Sequence, residues 1–323
     1  MMTESTDTIY QELTNTPVLA LVGPTAIGKT DLSLEIARVC NCEIISVDSM
    51  QVYKFMDIGT AKIKPEEMAG IPHHLIDVAY PDEEYDAARF VKEAAAAIAA
   101  IIAKGKTPLL TGGTGLYLKA LVDGLFAGVP EDREIREQLK LRAASEGTSK
   151  LHEELSLCDR ISADRIHPND TLRIIRGLEI YLASGVPWSE HLRRQKQSEQ
   201  NGIVNNILQV GLTCDRQKLY ERINMRSEIM LEQGLEEEVM GLLKMGYHEN
   251  LNSMKSIGYR HMLNFLSGLW NYEEMMEYLA RDTRRYAKRQ YTWFNKITDL
   301  EWFEVENKKI IIDHMSNWLQ KQQ

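Results

Sequence analysis

The sequence has few cysteines, no long apolar run and no excess of positive charge, and each shortage excludes a class of protein. Four cysteines (Cys40, Cys42, Cys158 and Cys214) are scattered over 323 residues, which argues against a disulfide framework. Cys40 and Cys42 lack a second ligand pair, so we do not expect a zinc site there. With 38 Lys and Arg against 47 Asp and Glu, the net charge of −9 excludes a uniformly basic coat for nucleic acid, although not a local basic patch.

Signals for membrane insertion or secretion are also missing. No apolar stretch reaches the roughly 18 residues of a membrane-spanning helix, and the longest, Ala94 to Ala103, is followed by Lys104. The first 16 residues contain acidic side chains but no Lys or Arg, unlike a secretory signal. We therefore expect a cytoplasmic protein that does not contact membranes. Its length suggests about two domains with a sizeable core.

Short apolar runs alternate with helical patterns in the first part of the chain. Strands are predicted at 17–22, 42–47, 74–78 and 107–111, and helices at 29–39 and 86–103. This alternation predicts a parallel α/β sheet. Beyond residue 130 the strand-like runs disappear, and helical patterns occupy 131–146, 149–159 and 171–183. The chain then returns to the sheet with a predicted strand at 206–212. Helices are predicted at 216–245 and 272–296, and an edge strand at 301–305.

A phosphate-binding pattern follows the first predicted strand. Residues 23–30 read Gly-Pro-Thr-Ala-Ile-Gly-Lys-Thr, which matches G-x-x-x-x-G-K-[ST] between an apolar strand and a helix. The glycines let backbone N–H groups turn toward an anion, and the helix N-terminus adds partial positive charge. Lys29 would supply a point charge to the phosphates, and the Thr30 hydroxyl suits Mg²⁺. The pattern indicates a diphosphate or polyphosphate site without saying which.

The fold class that these patterns predict is α/β, with a P-loop NTPase-like parallel sheet as the core and an inserted all-helical domain. The expected division is an N-terminal tail at 1–16, a catalytic core at 17–129 and 203–310, a helical insertion at 130–202 and a C-terminal tail at 311–323.

Asp48 ends the second predicted strand, at the edge where open α/β sheets bind ligands. It could ligate Mg²⁺, accept a proton from a substrate or cap the next turn, and the residues alone leave these three roles open. A second glycine-rich turn brings Thr114 to the same crevice. His73 and His74 lack a third ligand at a useful spacing, so a hydrogen-bonded turn is preferred there to a metal site.

Seven motifs, taken in order, make the chain similar to a known family. They are the phosphate-binding pattern at 23–30, Asp-Ser-Met-Gln-Val-Tyr at 48–53, Asp-Ile-Gly-Thr-Ala-Lys at 57–62, Gly-Gly-Thr-Gly-Leu-Tyr at 112–117, Arg-Ile-His-Pro-Asn-Asp at 165–170, Ser-Ile-Gly-Tyr at 256–259 and Arg-Tyr-Ala-Lys-Arg-Gln-Tyr-Thr-Trp-Phe at 285–294. Together they resemble the bacterial tRNA dimethylallyltransferases, also called isopentenyltransferases, over residues 17 to 294.

The resemblance implies transfer of a dimethylallyl group from dimethylallyl diphosphate to the exocyclic N6-amine of the adenosine just 3′ of the anticodon in tRNA. Diphosphate would be released, so the phosphate-binding loop at 23–30, called the P-loop below, would hold a leaving group with Mg²⁺ rather than hydrolyse a nucleotide. The implied partners are the tRNA anticodon stem-loop and dimethylallyl diphosphate. We expect a monomer with no obligate protein partner.

The resemblance also implies roles for individual residues. Asp48 would be the catalytic base and Thr114 would orient the amine or the reacting centre, with Arg226 as a second clamp on the diphosphate. The complete diphosphate set is Gly23, Thr25, Ala26, Ile27, Gly28, Lys29, Thr30 and Arg226, with Thr30 also on the metal. The tRNA set is Asp48, Ser49, Met50, Gln51, Thr114, Arg136, Leu172, Arg173, Ile174, Ile175 and Arg176, with Arg133 as an alternative or companion to Arg136.

Two rival functions remain from the residues alone. The first is a P-loop small-molecule kinase or NTPase that binds ATP, with Asp48 as a Mg²⁺ ligand and the helical insertion as a lid. The second is a non-catalytic RNA-binding module with a degenerate nucleotide site.

Two segments of the chain are locally basic. Residues 160–196 carry seven Lys and Arg against four acids, and residues 281–296 carry six against one. Such segments suit an RNA backbone, although a solvated helix face is the alternative.

Overall fold

The computed structural model describes residue 13 and residues 15–125, 129–197 and 202–322. These residues divide into two compact units, one running up to Val122 and resuming at Gly202, the other lying within Asp123–Asn201. The sequence placed the corresponding boundaries after 129 and after 202. The predicted N-terminal tail at 1–16 lies almost wholly outside the described residues. In the described part of the chain, no helix is both long and apolar enough to span a membrane.

The first unit is built on one parallel sheet of six strands. The strand order across the sheet is β3-β2-β4-β1-β5-β6, and every neighbouring pair is parallel. The predicted α/β fold class is therefore confirmed. The strands are β1 (Val18–Val22), β2 (Cys42–Val47), β3 (His73–His74), β4 (Thr107–Gly112), β5 (Ile207–Thr213) and β6 (Leu300–Glu304).

Thirteen helices are found in the described residues. Those numbered α4 to α8 form the second unit, and the others belong to the first. In chain order they are α1 (Lys29–Val39), α2 (Ala87–Ala103), α3 (Gly115–Val122), α4 (Arg133–Glu146), α5 (Thr148–Cys158), α6 (Arg160–Arg165), α7 (Thr171–Ser184), α8 (Trp188–Gln197), α9 (Arg216–Glu232), α10 (Leu235–Lys244), α11 (Tyr259–Leu266), α12 (Tyr272–Phe294) and α13 (Lys308–Gln320).

The core of the first unit lies on both faces of the sheet. Successive side chains of a strand point to opposite faces, so β1 contributes Val18, Ala20 and Val22 to one hydrophobic cluster and Leu19 and Leu21 to the other. All five residues are buried. Burial on both faces is the reason that β1 reads as a continuous apolar run rather than an alternating one.

Three of the predicted elements differ from the structure by more than two residues. The third strand is only His73–His74 because Leu75 and Asp77 have left-handed backbone conformations, with φ of 61° and 57°. The predicted helix at 216–245 is two helices, α9 and α10, because Gly234 has φ of 97° between them. The third difference concerns residues 311–323, which we predicted as a tail.

The end of the chain is a core helix rather than a tail. Helix α13 buries Ile311, Met315 and Leu319 in the same hydrophobic cluster as Leu32 and Ile36 of α1. These three residues recur at intervals of four, which places them on one face of a helix. That periodicity was available in the sequence and was overlooked.

The second unit has its own small core, formed by buried Leu, Ile and Ala side chains from α4 to α7. Helices α4, α6 and α7 each begin after an aspartate whose carboxylate accepts a backbone N–H of the first turn, namely Asp132, Asp159 and Asp170. Such caps satisfy N–H groups that have no partner within the helix. The described residues of this unit contain helices and no strand.

Candidate active site

Three neighbouring strands end side by side at one edge of the sheet. In the register, Val22 of β1 and Val47 of β2 both pair with Gly112 of β4. The P-loop, the Gly113–Thr114 turn and Asp48 therefore follow strands whose carboxyl ends meet, which is where open α/β sheets form binding crevices. Because β4 lies between β1 and β2, Asp48 is two strand positions away from the P-loop and the glycine turn is between them.

The P-loop is tightly wound and its own lysine lies across it. The Nζ atom of Lys29 donates hydrogen bonds to the carbonyl oxygens of Gly23 (3.0 Å) and Pro24 (2.7 Å). Gly23 has φ of 153°, and a Cβ there would lie 3.0 Å from the carbonyl oxygen of Leu212. Gly28, the last residue before α1, has φ of 101°. Both positions therefore favour glycine, and the loop's close turn onto β5 depends on the first.

Lys29, Asp48 and Arg226 influence one another electrostatically. Burial lowers the pKa of Lys29 to about 7, an effect that the Asp48 carboxylate opposes and the Arg226 guanidinium reinforces. Burial also lowers the pKa of Arg226, and the Asp48 carboxylate offsets only part of this effect. Arg226 lies on α9, far from the P-loop in sequence, so the fold brings these three predicted site residues together. Two cations and one carboxylate in an enclosed space form a site for a further anion.

Asp48 is fixed by the turn that follows it. Its Oδ1 atom accepts hydrogen bonds from the backbone N–H groups of Met50 (2.8 Å) and Gln51 (3.3 Å). The hydroxyl oxygen of Thr114 accepts the N–H of Ser49 at 3.0 Å. Among the described residues, no hydrogen bond is made to Oδ2 of Asp48. The turn-capping role that the sequence allowed thus occupies one carboxylate oxygen and leaves the other for a substrate.

These elements enclose a cavity of about 670 Å³. Its walls include the P-loop residues Thr25, Ala26, Gly28, Lys29 and Thr30. Further lining residues come from the turn after β2, a turn at 59–61, helices α9 and α12, and the loop before α11: Asp48, Ser49, Met50, Gln51, Gly59, Thr60, Ala61, Arg226, Ile257, Tyr286 and Gln290.

Of the residues predicted for the diphosphate and for catalysis, Gly23, Ile27 and Thr114 do not line this cavity. The side chain of Ile27 is fully buried in the core, and Gly23 is buried against β5. Thr114 is half-buried beside the cavity, and its hydroxyl oxygen accepts the N–H of Ser49. Its role toward a substrate stays a prediction.

The cavity is strongly cationic. Among the described residues that line it, six side chains are basic and two are carboxylates, which gives an excess of four positive charges when Lys29 is protonated. Such an excess in an enclosed space favours a multiply charged anion. The cations are Lys29, Arg222, Arg226, Lys255, Arg260 and Arg289, and the carboxylates are Asp31 and Asp48.

Oxygen ligands for a hard cation are also present. Thr30, Asp31 and Asp48 line the same cavity, and hydroxyl and carboxylate oxygens are the ligands that Mg²⁺ prefers. No cluster of three or more His, Cys, Asp or Glu suited to a metal is found in the described ranges. The residues therefore fit a Mg²⁺ ion held by few protein ligands together with water and phosphate oxygens.

The paired histidines form strand β3 rather than the predicted turn, and both imidazole rings are hydrogen-bonded. The Nε2 atom of His74 lies 2.8 Å from a carboxylate oxygen of Glu43, and Nδ1 of His73 lies 2.9 Å from the carbonyl oxygen of Ile71. Glu43 also accepts hydrogen bonds from Lys104 and Lys106. These contacts give both imidazole rings a structural role at the start of the sheet.

Within the helical unit, two of the arginines predicted to bind tRNA hold a buried carboxylate. Glu179 is fully buried, and its Oε2 atom accepts the Nη2–H of Arg136 at 2.8 Å. Arg176 lies 3.1 Å from the same oxygen and donates to the carbonyl oxygen of Val129. An unpaired buried carboxylate is costly, so both arginines are committed to stabilising the unit.

The side chains of Ile174 and Ile175 are also unsuited to direct RNA contact. They are 0% and 3% exposed and belong to the core of the helical unit. By contrast, Leu172 is 78% exposed, and Arg173 is exposed and pairs with Asp170. The predicted contacts of Ile174 and Ile175 are therefore corrected to packing, and Leu172 and Arg173 remain the surface candidates on α7. Arg133 is likewise exposed.

Sequence reasoning missed a carboxylate that organises the turn at 57–61. One oxygen of Glu238 accepts the N–H groups of Asp57 (3.0 Å) and Ile58 (2.7 Å), and the other accepts that of Gly59 (3.2 Å) and the hydroxyl of Tyr259 (2.6 Å). The motif residues Gly59 and Tyr259 were noticed in the sequence. Nothing marked Glu238 among the acids of α10, since its role depends on a contact distant in sequence.

Comparison with known proteins places the chain in a family. The model of the IPP transferase family matches residues 51–297. The tRNA dimethylallyltransferase of Desulfotalea psychrophila is 55% identical over 306 residues, covering 95% of this chain and 96% of that protein. The tRNA dimethylallyltransferase of Acetivibrio thermocellus is 45% identical, covering 94% of this chain and 97% of that protein.

Solved structures agree with this comparison. The tRNA isopentenylpyrophosphate transferase of Bacillus halodurans is 39% identical with a TM-score of 0.70, over 95% of this chain and 98% of that one. A eukaryotic dimethylallyltransferase acting on tRNA is 30% identical with a TM-score of 0.76, over 90% of this chain and 74% of that one. The motifs, the six-stranded fold and both kinds of relative lead to one conclusion: the chain belongs to the IPP transferase family.

Proposed function

We propose that this protein transfers the dimethylallyl group of dimethylallyl diphosphate to the N6-amine of the adenosine 3′ of the anticodon in tRNA. The observation that carries the proposal is one cationic cavity that both the P-loop and Asp48 line, at the ends of strands that lie on either side of β4. Relatives named tRNA dimethylallyltransferase, 55% and 45% identical to the chain, support the same reaction.

The P-loop wall of the cavity suits the diphosphate. When the allylic C–O bond breaks, its electron pair stays on the diphosphate, so negative charge builds on the leaving oxygens. Lys29 and Arg226 line the cavity there and would stabilise that charge electrostatically. Arg226 can form two parallel hydrogen bonds with a phosphate group through its planar guanidinium. Lys29 would exchange its contacts with the Gly23 and Pro24 carbonyls for the phosphate.

A magnesium ion is part of the proposal. Thr30 would contact it beside the diphosphate, with Asp31 near enough on the same cavity wall to bind a coordinated water. When bound, Mg²⁺ would neutralise part of the charge on the leaving group.

Asp48 is proposed as the base that acts on the RNA. The adenine amine is a weak nucleophile because its lone pair is delocalised into the ring. As the new C–N bond forms, the nitrogen must lose a proton, and the free oxygen of the Asp48 carboxylate would accept it. The proton thus moves to Asp48 while the C–O electron pair leaves with the diphosphate, so charge and atoms balance.

The cavity has the volume of a small-molecule site. Its volume of about 670 Å³ lies within the usual range for sites that take a drug-sized ligand. An adenosine in a stacked anticodon loop must be turned out to enter it, at a cost of a few kcal/mol for unstacking. We assign the surface of α7 around Leu172 and Arg173, and the basic residues of α12, to holding the tRNA. Such work on tRNA would take place in the cytoplasm.

The experiment is a product assay. The protein would be incubated with unmodified tRNA, Mg²⁺ and dimethylallyl diphosphate, and the digested nucleosides would be weighed by mass spectrometry. The proposal predicts a prenylated adenosine and diphosphate release that requires both substrates. Turnover of ATP without tRNA would support a kinase or NTPase instead. Tight tRNA binding with no modified nucleoside would support a non-catalytic RNA-binding module.

A further inference from the structure

Gln290, a buried residue of α12, connects the two glycine-rich turns of the site. It is 5% exposed and lines the cavity. Its Oε1 atom accepts the backbone N–H of Thr25 at 2.9 Å, and its Nε2 atom donates to the carbonyl oxygen of Gly113 at 3.0 Å. A backbone N–H requires an acceptor and a carbonyl requires a donor, so the two partners fix which way the amide faces.

The contact is close on both sides. A Cβ at Gly113 would lie 2.2 Å from Nε2 of Gln290, so the glycine turn is shaped to admit this amide. On the other side, Thr25 precedes Ala26, which has φ of 63°. A left-handed backbone at a residue other than glycine costs about 1 kcal/mol or more and persists only where surrounding contacts hold it. The bond from Thr25 to Gln290 is one such contact.

The two turns carry different halves of the proposed chemistry. Thr25 lies in the P-loop, which would hold the leaving group. Gly113 precedes Thr114, whose hydroxyl oxygen accepts the N–H of Ser49, the neighbour of Asp48. A continuous path therefore runs from the P-loop through Gln290 and the glycine turn to the base. Because the Thr25 N–H already donates to Gln290, the hydroxyl is the donor that Thr25 can offer to a phosphate.

Tyr286 lies one helical turn before Gln290 and faces the same region. It lines the cavity, and burial together with the Asp48 carboxylate raises its pKa. The side chains of Thr114 and Gln290 are close enough to act on its hydroxyl. This places α12 directly over the path that joins the two turns.

From these contacts we infer that Gln290 is a positioning residue that sets the P-loop and the Asp48 turn at the spacing needed for group transfer. The inference rests on the proposed function. Gln290 would act through Thr25 and Gly113 and would not itself touch the reacting atoms. Reacting groups tolerate little misplacement, since a shift of about 1 Å can cost about 100-fold in rate.

Two substitutions separate this role from simple packing. Gln290→Met keeps the length of the side chain and removes both hydrogen bonds. Gln290→Glu keeps the acceptor for Thr25, but when ionised it places an oxygen against the Gly113 carbonyl. When protonated, the glutamic acid can again donate to Gly113 while accepting from Thr25. Burial raises the pKa of such a carboxyl, so its protonation is expected in mildly acidic solution. Gln217→Leu, at an exposed glutamine of α9, is the control.

The test measures kcat, the KM for tRNA, and the affinity for inorganic diphosphate by calorimetry, with a thermal melt to confirm folding. We expect Gln290→Met to lower kcat about 10–100-fold and to weaken diphosphate binding, with the KM for tRNA unchanged. The activity of Gln290→Glu relative to the parent should rise as the pH falls. The Gln217→Leu control should match the parent in every measurement.

Two results would overturn the inference. One is parental kcat and diphosphate affinity in folded Gln290→Met. The other, decisive if that variant does not fold, is a pH-independent activity ratio for Gln290→Glu. If the parent itself makes no prenylated adenosine, the proposed function fails instead, and the diphosphate affinities still show whether Gln290 shapes the P-loop.

Discussion

At the scale of single residues, the site combines a cation of lowered pKa with a carboxylate that has one unused oxygen. Lys29 lies over the P-loop carbonyls and has a pKa of about 7 because it is buried. Asp48 is held through Oδ1 by its own turn. The lowered pKa of Lys29 and the free oxygen of Asp48 both result from where these residues lie at the strand ends. Each can be tested by measurement.

The first prediction concerns the pH dependence of diphosphate binding. In the free protein Lys29 is half protonated near pH 7, and a bound diphosphate would raise its pKa. Binding above pH 7 must therefore be accompanied by proton uptake, and affinity should fall as pH rises, by up to about tenfold per unit. Calorimetry in two buffers of different ionisation enthalpy would measure the uptake.

Lys29→Met should remove this uptake and weaken diphosphate binding, while tRNA affinity stays as in the parent. Lys244→Met, at an exposed position at the end of α10, is the matched control and should behave as the parent does. Because diphosphate also titrates in this range, the comparison with Lys29→Met decides: equal proton uptake in the variant and the parent between pH 7 and 9 would show that Lys29 is not the phosphate ligand.

The second prediction concerns the base. Asp48→Asn keeps the size of the side chain and an acceptor for Met50 and Gln51, but it cannot take up a proton. We expect kcat to fall about 10²–10⁴-fold, as for loss of a general base, with both substrates still bound. Single-turnover rates together with tRNA and diphosphate affinities would check this. A loss of Mg²⁺ and diphosphate binding with little change in the chemical step would indicate a metal ligand instead.

At the scale of elements, the site is assembled by contacts between helices and turns that are distant in sequence. Glu238 of α10 accepts three N–H groups of the turn at 57–59, and Tyr259 at the start of α11 donates to the same carboxylate. A Cβ at Gly59 would lie 2.4 Å from the Tyr259 ring. The turn, α10 and α11 are thereby joined at one wall of the cavity.

The third prediction tests this connection. In Glu238→Gln one carboxylate oxygen becomes an NH₂ group, which cannot accept the backbone N–H groups that face it. We expect a loss of about 1–3 kcal/mol in the free energy of unfolding, the cost of leaving such donors unsatisfied, together with a raised KM for tRNA. Glu237→Gln, exposed on the same helix, should change neither. Equal stability of the two variants in urea unfolding would contradict the assignment.

The elements that could be predicted from the sequence are those with a strong local signal. Helix α1 and strand β2 have the predicted bounds, because apolar runs and the P-loop pattern mark both ends. Helix α13 has a comparable signal in Ile311, Met315 and Leu319, yet it was taken for a tail. The break at Gly234 was missed because a glycine inside a helical pattern is often tolerated.

The site was only partly predictable, for a different reason. The P-loop, Asp48 and Arg226 carry motif signals, and the structure brings them together in one cavity. Glu238 and Gln290 act through hydrogen bonds to backbone groups far along the chain. Gln290 lies in the motif at 285–294, but the motif does not show these partners, and no motif marks Glu238. Conversely, four residues that we predicted to contact tRNA make contacts inside the helical unit. Arg136 and Arg176 pair with the buried carboxylate of Glu179, and Ile174 and Ile175 pack in its core. Their roles depend on burial, which the sequence does not show directly.

At the scale of the whole molecule, an acidic protein is proposed to bind a polyanion. The net charge is −9, so recognition of tRNA must depend on local concentrations of positive charge. Helix α12 provides one, with Arg285 and Lys288 exposed near its middle. Arg285 lies 3.5 Å from Asp282, and exposed ion pairs of this kind are weak, so its guanidinium remains available to an RNA phosphate.

The fourth prediction follows from this charge. Affinity for tRNA should fall as salt concentration rises, because bound phosphates release counterions. Replacing both Arg285 and Lys288 with Ala should weaken binding at low salt and reduce the slope of log affinity against log salt by about 1–2. Lys309→Ala, exposed on α13, should leave the slope unchanged. An affinity independent of salt would exclude these residues as phosphate contacts.

The central claim is that one cavity holds a departing diphosphate at the P-loop while Asp48 receives a proton from an RNA base. The most direct test is a crystal structure of the protein with an anticodon stem-loop and an unreactive thio analogue of dimethylallyl diphosphate. We expect the diphosphate to contact Lys29 and Arg226, and an oxygen of Asp48 to lie about 2.6–3.2 Å from the adenine N6 atom. A diphosphate bound elsewhere, or Asp48 turned away from the base, would contradict the account.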